Sequence, residues 1–155
     1  MRLISHRGNL NGPNPELENT IDSVDKAIEM GFDCEVDLWV SDGKLFLGHD
    51  YPKNEISPKY LFDNASSLFV HAKNQDALLW LHNNRRYINF FSHDKDKFVL
   101  TSLGDIWCYP SSIPFEFGIN VMPEWNSLTK EDLASVYGIC TDFPIKFKNT
   151  KVIEL

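Results

Sequence analysis

An α/β fold is what this sequence predicts, and three observations carry it. Strand-like and helix-like segments alternate along the chain, which is the pattern of a sheet covered by helices. About eight short strands can be counted, enough to close a barrel. The chain has 155 residues, whereas a full eight-fold barrel typically takes about 250. Together these predict a small or truncated TIM (β/α) barrel, with several helices shortened or missing. An open α/β sheet is the alternative.

The elements follow in order. Met1 to His6 enters a strand almost at once. Gly8 to Glu18 is rich in Asn, Pro and Gly and reads as a loop. Thr20 then serves as N-cap of a helix with Asp22 and Asp25 near its positive end and Gly31 where the chain should leave it. Ile21, Val24, Ala27 and Ile28 give it one apolar face. Asp33 to Val40 is a strand, joined by Ser41-Asp42-Gly43 to Lys44–Gly48 as a hairpin. Further strands are expected at Leu68–Ala72, Tyr87–Phe91, Phe98–Thr101, Asp105–Tyr109, Ile119–Met122 and Gly138–Thr141. Helices are expected at Pro58–Asn64, Gln75–Asn83 and Leu128–Val136. No helix is expected between Phe91 and Ile119. Such gaps leave apolar strand faces uncovered and invite a homo-oligomer.

Composition bounds the rest. An apolar fraction of 43% and a charged fraction of 24% describe an ordinary globular chain, expected to form one domain over residues 1–155. No apolar run reaches the roughly 20 residues of a membrane helix, and the N-terminus lacks an apolar leader core, so a cytoplasmic location is expected. Cys34, Cys108 and Cys140 are an odd number at wide spacing, which argues for free buried thiols. The net charge of −7, from 15 basic and 22 acidic residues, with no basic run, excludes an obvious nucleic-acid partner. An acidic chain handling a phosphate needs a local positive charge, and a bound cation supplies one.

Polar residues gather at strand ends, where a barrel carries its active site. Glu35 and Asp37 share one strand face, with Cys34, Val36 and Leu38 on the other. Two carboxylates so close call for a cation between them, and a hard divalent ion with oxygen ligands suits. On composition alone, a half-solvated strand with its acidic face toward water is the simpler account. His6 and His49 sit at strand ends on either side of this pair in sequence. Their intrinsic pKa suits acid–base work. His71 and Lys73 share a face of the next strand, although Lys73 alone reads as a surface lysine.

The order His6-Arg7-Gly8, Glu18-Asn19-Thr20, Glu35-x-Asp37, Asp42-Gly43, His49-Asp50 resembles the N-terminal signature of the glycerophosphodiester phosphodiesterases. The resemblance covers residues 1–50, thins at Val70-His71-Ala72-Lys73 and returns at Gly138 to Pro144. It implies a metal-dependent phosphodiesterase acting on glycerophosphodiesters or a related small-molecule phosphodiester. His6 and His49 would be the catalytic acid–base pair. Glu35 and Asp37 would bind a divalent ion, usually Mg²⁺ or Ca²⁺. Arg7 and Lys73 would contact the substrate phosphate, and Glu18 and Asn19 would brace the first loop or help line the site. Where the family has a glutamate as third metal ligand, this chain has His71. If His71 is a ligand, its nitrogen shifts the expectation toward Mn²⁺ or Zn²⁺. The alternatives are a catalytically weakened phosphate-binding or structural barrel, and a phospholipase D-like lyase that stops at a cyclic phosphate.

Overall fold

The computed structural model describes residues 1–148. The last seven positions of the expected domain lie outside the described residues. The strands are β1 (Arg2–His6), β2 (Asp33–Ser41), β3 (Lys44–Leu47), β4 (Asn54–Ile56), β5 (Leu68–Ala72), β6 (Asn89–Phe91), β7 (Phe98–Leu100), β8 (Ile106–Cys108), β9 (Ile119–Val121) and β10 (Gly138–Thr141). The helices are α1 (Ile21–Glu29), α2 (Pro58–Asp63), α3 (Gln75–Asn83) and α4 (Pro144–Lys148). All ten strands join one mixed, strongly curled sheet. Its parallel part runs β6-β5-β2-β1-β10-β9-β8. Antiparallel arms β3–β4 and β7 extend from β2 and β8. Between β6 and the β7–β8 hairpin no ladder forms among the described residues. Isolated contacts bridge there instead: the Ser102 amide donates to the Phe90 carbonyl at 2.7 Å, the Phe91 and Trp107 rings lie 4.6 Å apart, and Asn89 donates to Asp105 at 2.9 Å.

Strand alternation sorts the apolar residues into two layers. Ile4, Phe69, Phe91, Trp107, Ile119 and Cys140 fill the concave interior. Val36, Leu38, Val70 and Leu45 face outward and are packed with Val24, Leu61 and Leu81 of α1, α2 and α3. Each of these helices starts on a side-chain cap, as Thr20, Ser57 and Asn74 accept from Ser23, Tyr60 and Ala77. Such a cap satisfies one of the orphan amides at a helix start. Beside β10, the smaller cluster Leu133, Val136, Ile139 and Phe147 takes the place of a long helix. All three cysteines are buried and free.

The β2–β3 hairpin turns on Asp42 and Gly43, with φ of 50° and 74°. That pair of left-handed residues matches the twist of the strands. Leu128–Val136 is not a helix. Leu133, Ala134 and Val136 donate three residues back, to Lys130, Glu131 and Leu133. Thr129 and Asp132 cap each other's amides. A run of such turns buries Leu133 and Val136 with a period of three, so the apolar spacing is met without α-helical bonds. The strand β4 was not expected; it lies antiparallel to β3. No helix among the described residues is long and apolar enough to cross a membrane.

The outer layer should therefore dominate stability. Leu38 is fully buried, whereas Leu79 on α3 is 59% exposed. Leu38→Ala is expected to cost about 2–5 kcal/mol in urea unfolding, and Leu79→Ala less than about 0.5 kcal/mol. Equal effects would contradict this layering.

Candidate functional site

The carboxyl ends of β1, β2 and β5 meet at one mouth of the curled sheet. Parallel pairing sets His6 beside Glu35, and Asp37 beside His71. Beyond β1 the chain turns sharply, with Arg7 and Gly8 both left-handed (φ 55° and 84°). The Arg7 amide donates to the Glu35 carbonyl at 2.9 Å, which folds Arg7 back over the mouth. Gly8 is required here, since a Cβ would come within 2.5 Å of the Ser23 hydroxyl on α1. Left-handed non-glycine residues are costly and concentrate where a site depends on them. Asn19 is a second case, with φ 57°.

These turns enclose a cavity of about 660 Å³. His6, Arg7, Glu18, Glu35, Asp37, His49, His71 and Lys73 all line it. Asn19 lies behind it and brackets Asp37: its Nδ2 donates to Asp37 Oδ2, and its Oδ1 accepts from the Asp37 amide, each at 3.0 Å.

Asp37 is 1% exposed and densely partnered. Arg7 Nε lies 3.1 Å away as an ion pair without hydrogen-bond alignment. His71 Nδ1 stands at 3.1 Å and Lys73 Nζ at 3.5 Å. Burial works to raise this carboxyl, but the His71 hydrogen bond and the Arg7 and Lys73 charges outweigh it. Asp37 is held well below the usual carboxylate range.

Glu35 is 3% exposed and differs. Burial, then the Asp37 charge, push its carboxyl above the ordinary value, and His6, Arg7 and His71 offset this only in part. Its Oε2 is buried with no hydrogen-bond partner. An orphaned carboxylate oxygen in a native site calls for a missing counter-charge. One ligand atom each from Glu35, Asp37 and His71 lie within 4.8 Å of one another. The donor set and the orphaned oxygen together fit a metal ion. His71 is fixed by stacking on Phe91, with centroids 4.9 Å apart and planes 8° from parallel.

Each strand-end histidine has a carboxylate. His6 Nδ1 stands 2.8 Å from Asp142 Oδ1, and His49 Nδ1 stands 2.7 Å from Asp50 Oδ1. An ionised carboxylate can only accept, so each Nδ1 carries a proton, and in the neutral ring Nε2 then keeps the lone pair. Asn9 ties the first loop together by donating to Glu18 Oε1 at 2.9 Å and Asp142 Oδ1 at 2.8 Å. Burial works to raise the Asp142 carboxyl, but bonds from His6 and Asn9 prevail and hold it below its ordinary value.

The sequence assigned no role to Asp142 or Asn9. Asp142 directly follows β10 as Arg7 follows β1, so its strand-end position was the available signal. Of the aromatics that the sequence offers as pocket walls or core, Trp39, Phe46, Trp107 and Trp125, the two tryptophans Trp107 and Trp125 line the cavity. Phe91, Trp107, Tyr109 and Trp125 form the aromatic part of its lining. Trp39 is not among them; it donates to the Gly48 carbonyl.

No protein-family model matches the chain, and no curated protein matches it. The architecture, however, resembles a glycerophosphodiester phosphodiesterase barrel. The chain is similar to the solved structure of a "putative glycerophosphodiester phosphodiesterase" from Galdieria sulphuraria, at 16% sequence identity, with 96% of each chain covered and a TM-score of 0.53. At this identity the likeness establishes the fold, and the chemistry must be argued from the side chains.

The two carboxylates should affect stability with opposite sign. Asp37 has a depressed pKa in the fold. Its contribution is fully present above the unfolded value of about 3.9 and is lost as pH falls toward the folded value. The Glu35 pKa is raised, so its charge costs stability as pH rises past the unfolded value of about 4.3. In metal-stripped protein at pH 7, Asp37→Asn should lower the urea midpoint and Glu35→Gln should raise it. A lower midpoint for Glu35→Gln would contradict this opposition of signs.

Proposed function

We propose that this chain is a metal-dependent phosphodiesterase that cleaves glycerophosphodiesters or a related small phosphodiester, with His6 and His49 as its acid–base pair. One observation carries the reading. Two carboxylate-anchored histidines, two cationic side chains and a group able to hold a cation line the same cavity.

His6 and His49 each offer a free Nε2, one as base toward the nucleophile and one as acid toward the departing alkoxide. His6 is the deeper of the two and suits the first role. His49 is half-exposed at the rim and suits the second. Arg7 and Lys73 bring fixed positive charge to the diester oxygens. Glu18 accepts from Arg7 Nη1 at 3.1 Å and keeps the guanidinium oriented. Glu35, Asp37 and His71 would hold a divalent ion, which supplies Lewis-acid stabilisation of the phosphoryl oxygens. The two carboxylates favour Mg²⁺ or Ca²⁺, and the imidazole moves the preference toward Mn²⁺ or Zn²⁺.

One feature favours a second reading, a phosphate-binding barrel with weakened catalysis. His71 Nδ1 is already engaged with Asp37 Oδ1, so an ion that takes this nitrogen must break that bond.

Phosphorus NMR of a glycerophosphodiester incubated with the protein and a divalent ion tests the proposal. A monoester product indicates hydrolysis, a cyclic product indicates a lyase, and unchanged diester indicates the binding barrel. His6→Gln and His49→Gln keep an N–H donor but cannot shuttle protons. Each is expected to lower kcat by about 10²–10⁴-fold with little change in melting temperature. Near-normal turnover in either variant would overturn the acid–base assignment.

A further inference from the structure

A turn beside the cavity grips the strand end that carries Asp142. This 3₁₀ turn, Pro123–Asn126, follows β9. Met122 before it and Ser127 after it are both left-handed, with φ of 47° and 53°. Non-glycine residues rarely hold that conformation unless their surroundings impose it. The Met122 amide donates to the Cys140 carbonyl at 2.8 Å, which ties the turn to β10. Trp125 of the same turn lines the cavity.

The Glu124 carboxylate meets the end of β10 through side chain and backbone alike. The buried Thr141 hydroxyl donates to it, 3.0 and 2.9 Å from its two oxygens. The Asp142 amide donates to Oε1 at 3.1 Å. Thr141 Oγ1 in turn accepts from the Phe143 amide at 3.0 Å. The Asp142 carbonyl accepts from the Gly12 amide at 2.8 Å. The backbone of Asp142 is thus held at its own amide and carbonyl and braced through the residue on either side. Its side chain keeps only rotation, and that is settled by Oδ1 accepting from His6 Nδ1 and Asn9 Nδ2, each at 2.8 Å.

We infer that Glu124 is a positioning residue for His6, acting through the backbone of Asp142. The inference rests on the acid–base role proposed for His6. Glu124 itself is not among the residues lining the cavity. Without its carboxylate, the Asp142 amide and the Thr141 hydroxyl lose their acceptor and must find water or another partner. A shift of Asp142 then loosens the bond that keeps a proton on His6 Nδ1, and Nε2 is no longer reserved for the substrate.

Steady-state kinetics with a divalent ion, together with proton–nitrogen NMR of the histidine side chains, tests the inference. Glu124→Ala should lower kcat by about 10–100-fold with KM little changed, the order of loss that a small misplacement of a reacting group brings. Glu124→Gln should restore most of the rate, because its amide oxygen accepts from the same donors. Added to His6→Gln, Glu124→Ala should cause little further loss, since the two residues act as one unit. With the rings neutral, NMR should show His6 as the Nδ1–H tautomer in the wild type and in Glu124→Gln, and as a mixture of tautomers in Glu124→Ala. Leu133→Ala, which opens a void in the cluster beside β10, should lower the melting temperature and leave the His6 tautomer as it is, so general loosening is told apart from positioning. If Glu124→Ala does not keep the wild-type circular dichroism, Thr141→Val replaces it, removing the hydroxyl that links Glu124 to the Phe143 amide, and the same change of tautomer is expected. The tautomer is read without turnover, so an inactive wild type would overturn the phosphodiesterase reading while the NMR still decides this one. An unchanged His6 tautomer in Glu124→Ala would overturn the inference, as would a loss of rate that Glu124→Gln does not restore or that adds in full to the loss from His6→Gln.

Discussion

Two carboxylates buried two residues apart on β2 set the terms for the rest of the molecule. Glu35 and Asp37 face the concave side of the sheet, away from bulk water. Asp37 has its charge answered by Arg7, His71 and Lys73, with Asn19 filling its remaining hydrogen bonds. Glu35 does not. Breaking a buried pair, or leaving one charge without its partner, is expensive. The strained turn at Arg7, the left-handed Asn19 and the close approach of Gly8 to α1 all bring partners to Asp37. Stability and site construction are therefore the same problem at this end of the sheet.

A barrel of this size cannot spend its residues evenly. The half built from β1, β2 and β5 carries α1, α2 and α3, a continuous outer core and most of the charged residues of the site. The half built from β7, β8 and β9 has short strands, turns in place of helices and an aromatic wall. This asymmetry leaves Phe98 and Leu100 of β7 exposed. A chain with a full set of outer helices would not need the small cluster around Leu133 beside β10.

Much of this was legible in the sequence for physical reasons. Polar–apolar alternation is clear in β2, and helical period and caps are clear in α1 and α3. The alternation of Glu35 and Asp37 with Cys34, Val36 and Leu38 revealed which face was acidic, but not that this face was buried. That depends on sheet curvature, which no local pattern encodes. Leu128–Val136 misled because a spacing of three suits successive turns as well as a helix. Asp142 was missed because its partner, His6, is 136 residues away. Only the pairing of the first strand with the last brings them together. His71 was legible as a departure from a glutamate position, and its stacking on Phe91 was not.

The central claim is that Glu35 is the unanswered charge of a cation site. Titration calorimetry of a divalent ion into metal-stripped protein, wild type against Glu35→Gln, tests it most directly. Saturable binding of one ion per chain is expected in the wild type, with most of that affinity lost in the variant. Absence of binding to the wild type, or equal affinity in both, would contradict it.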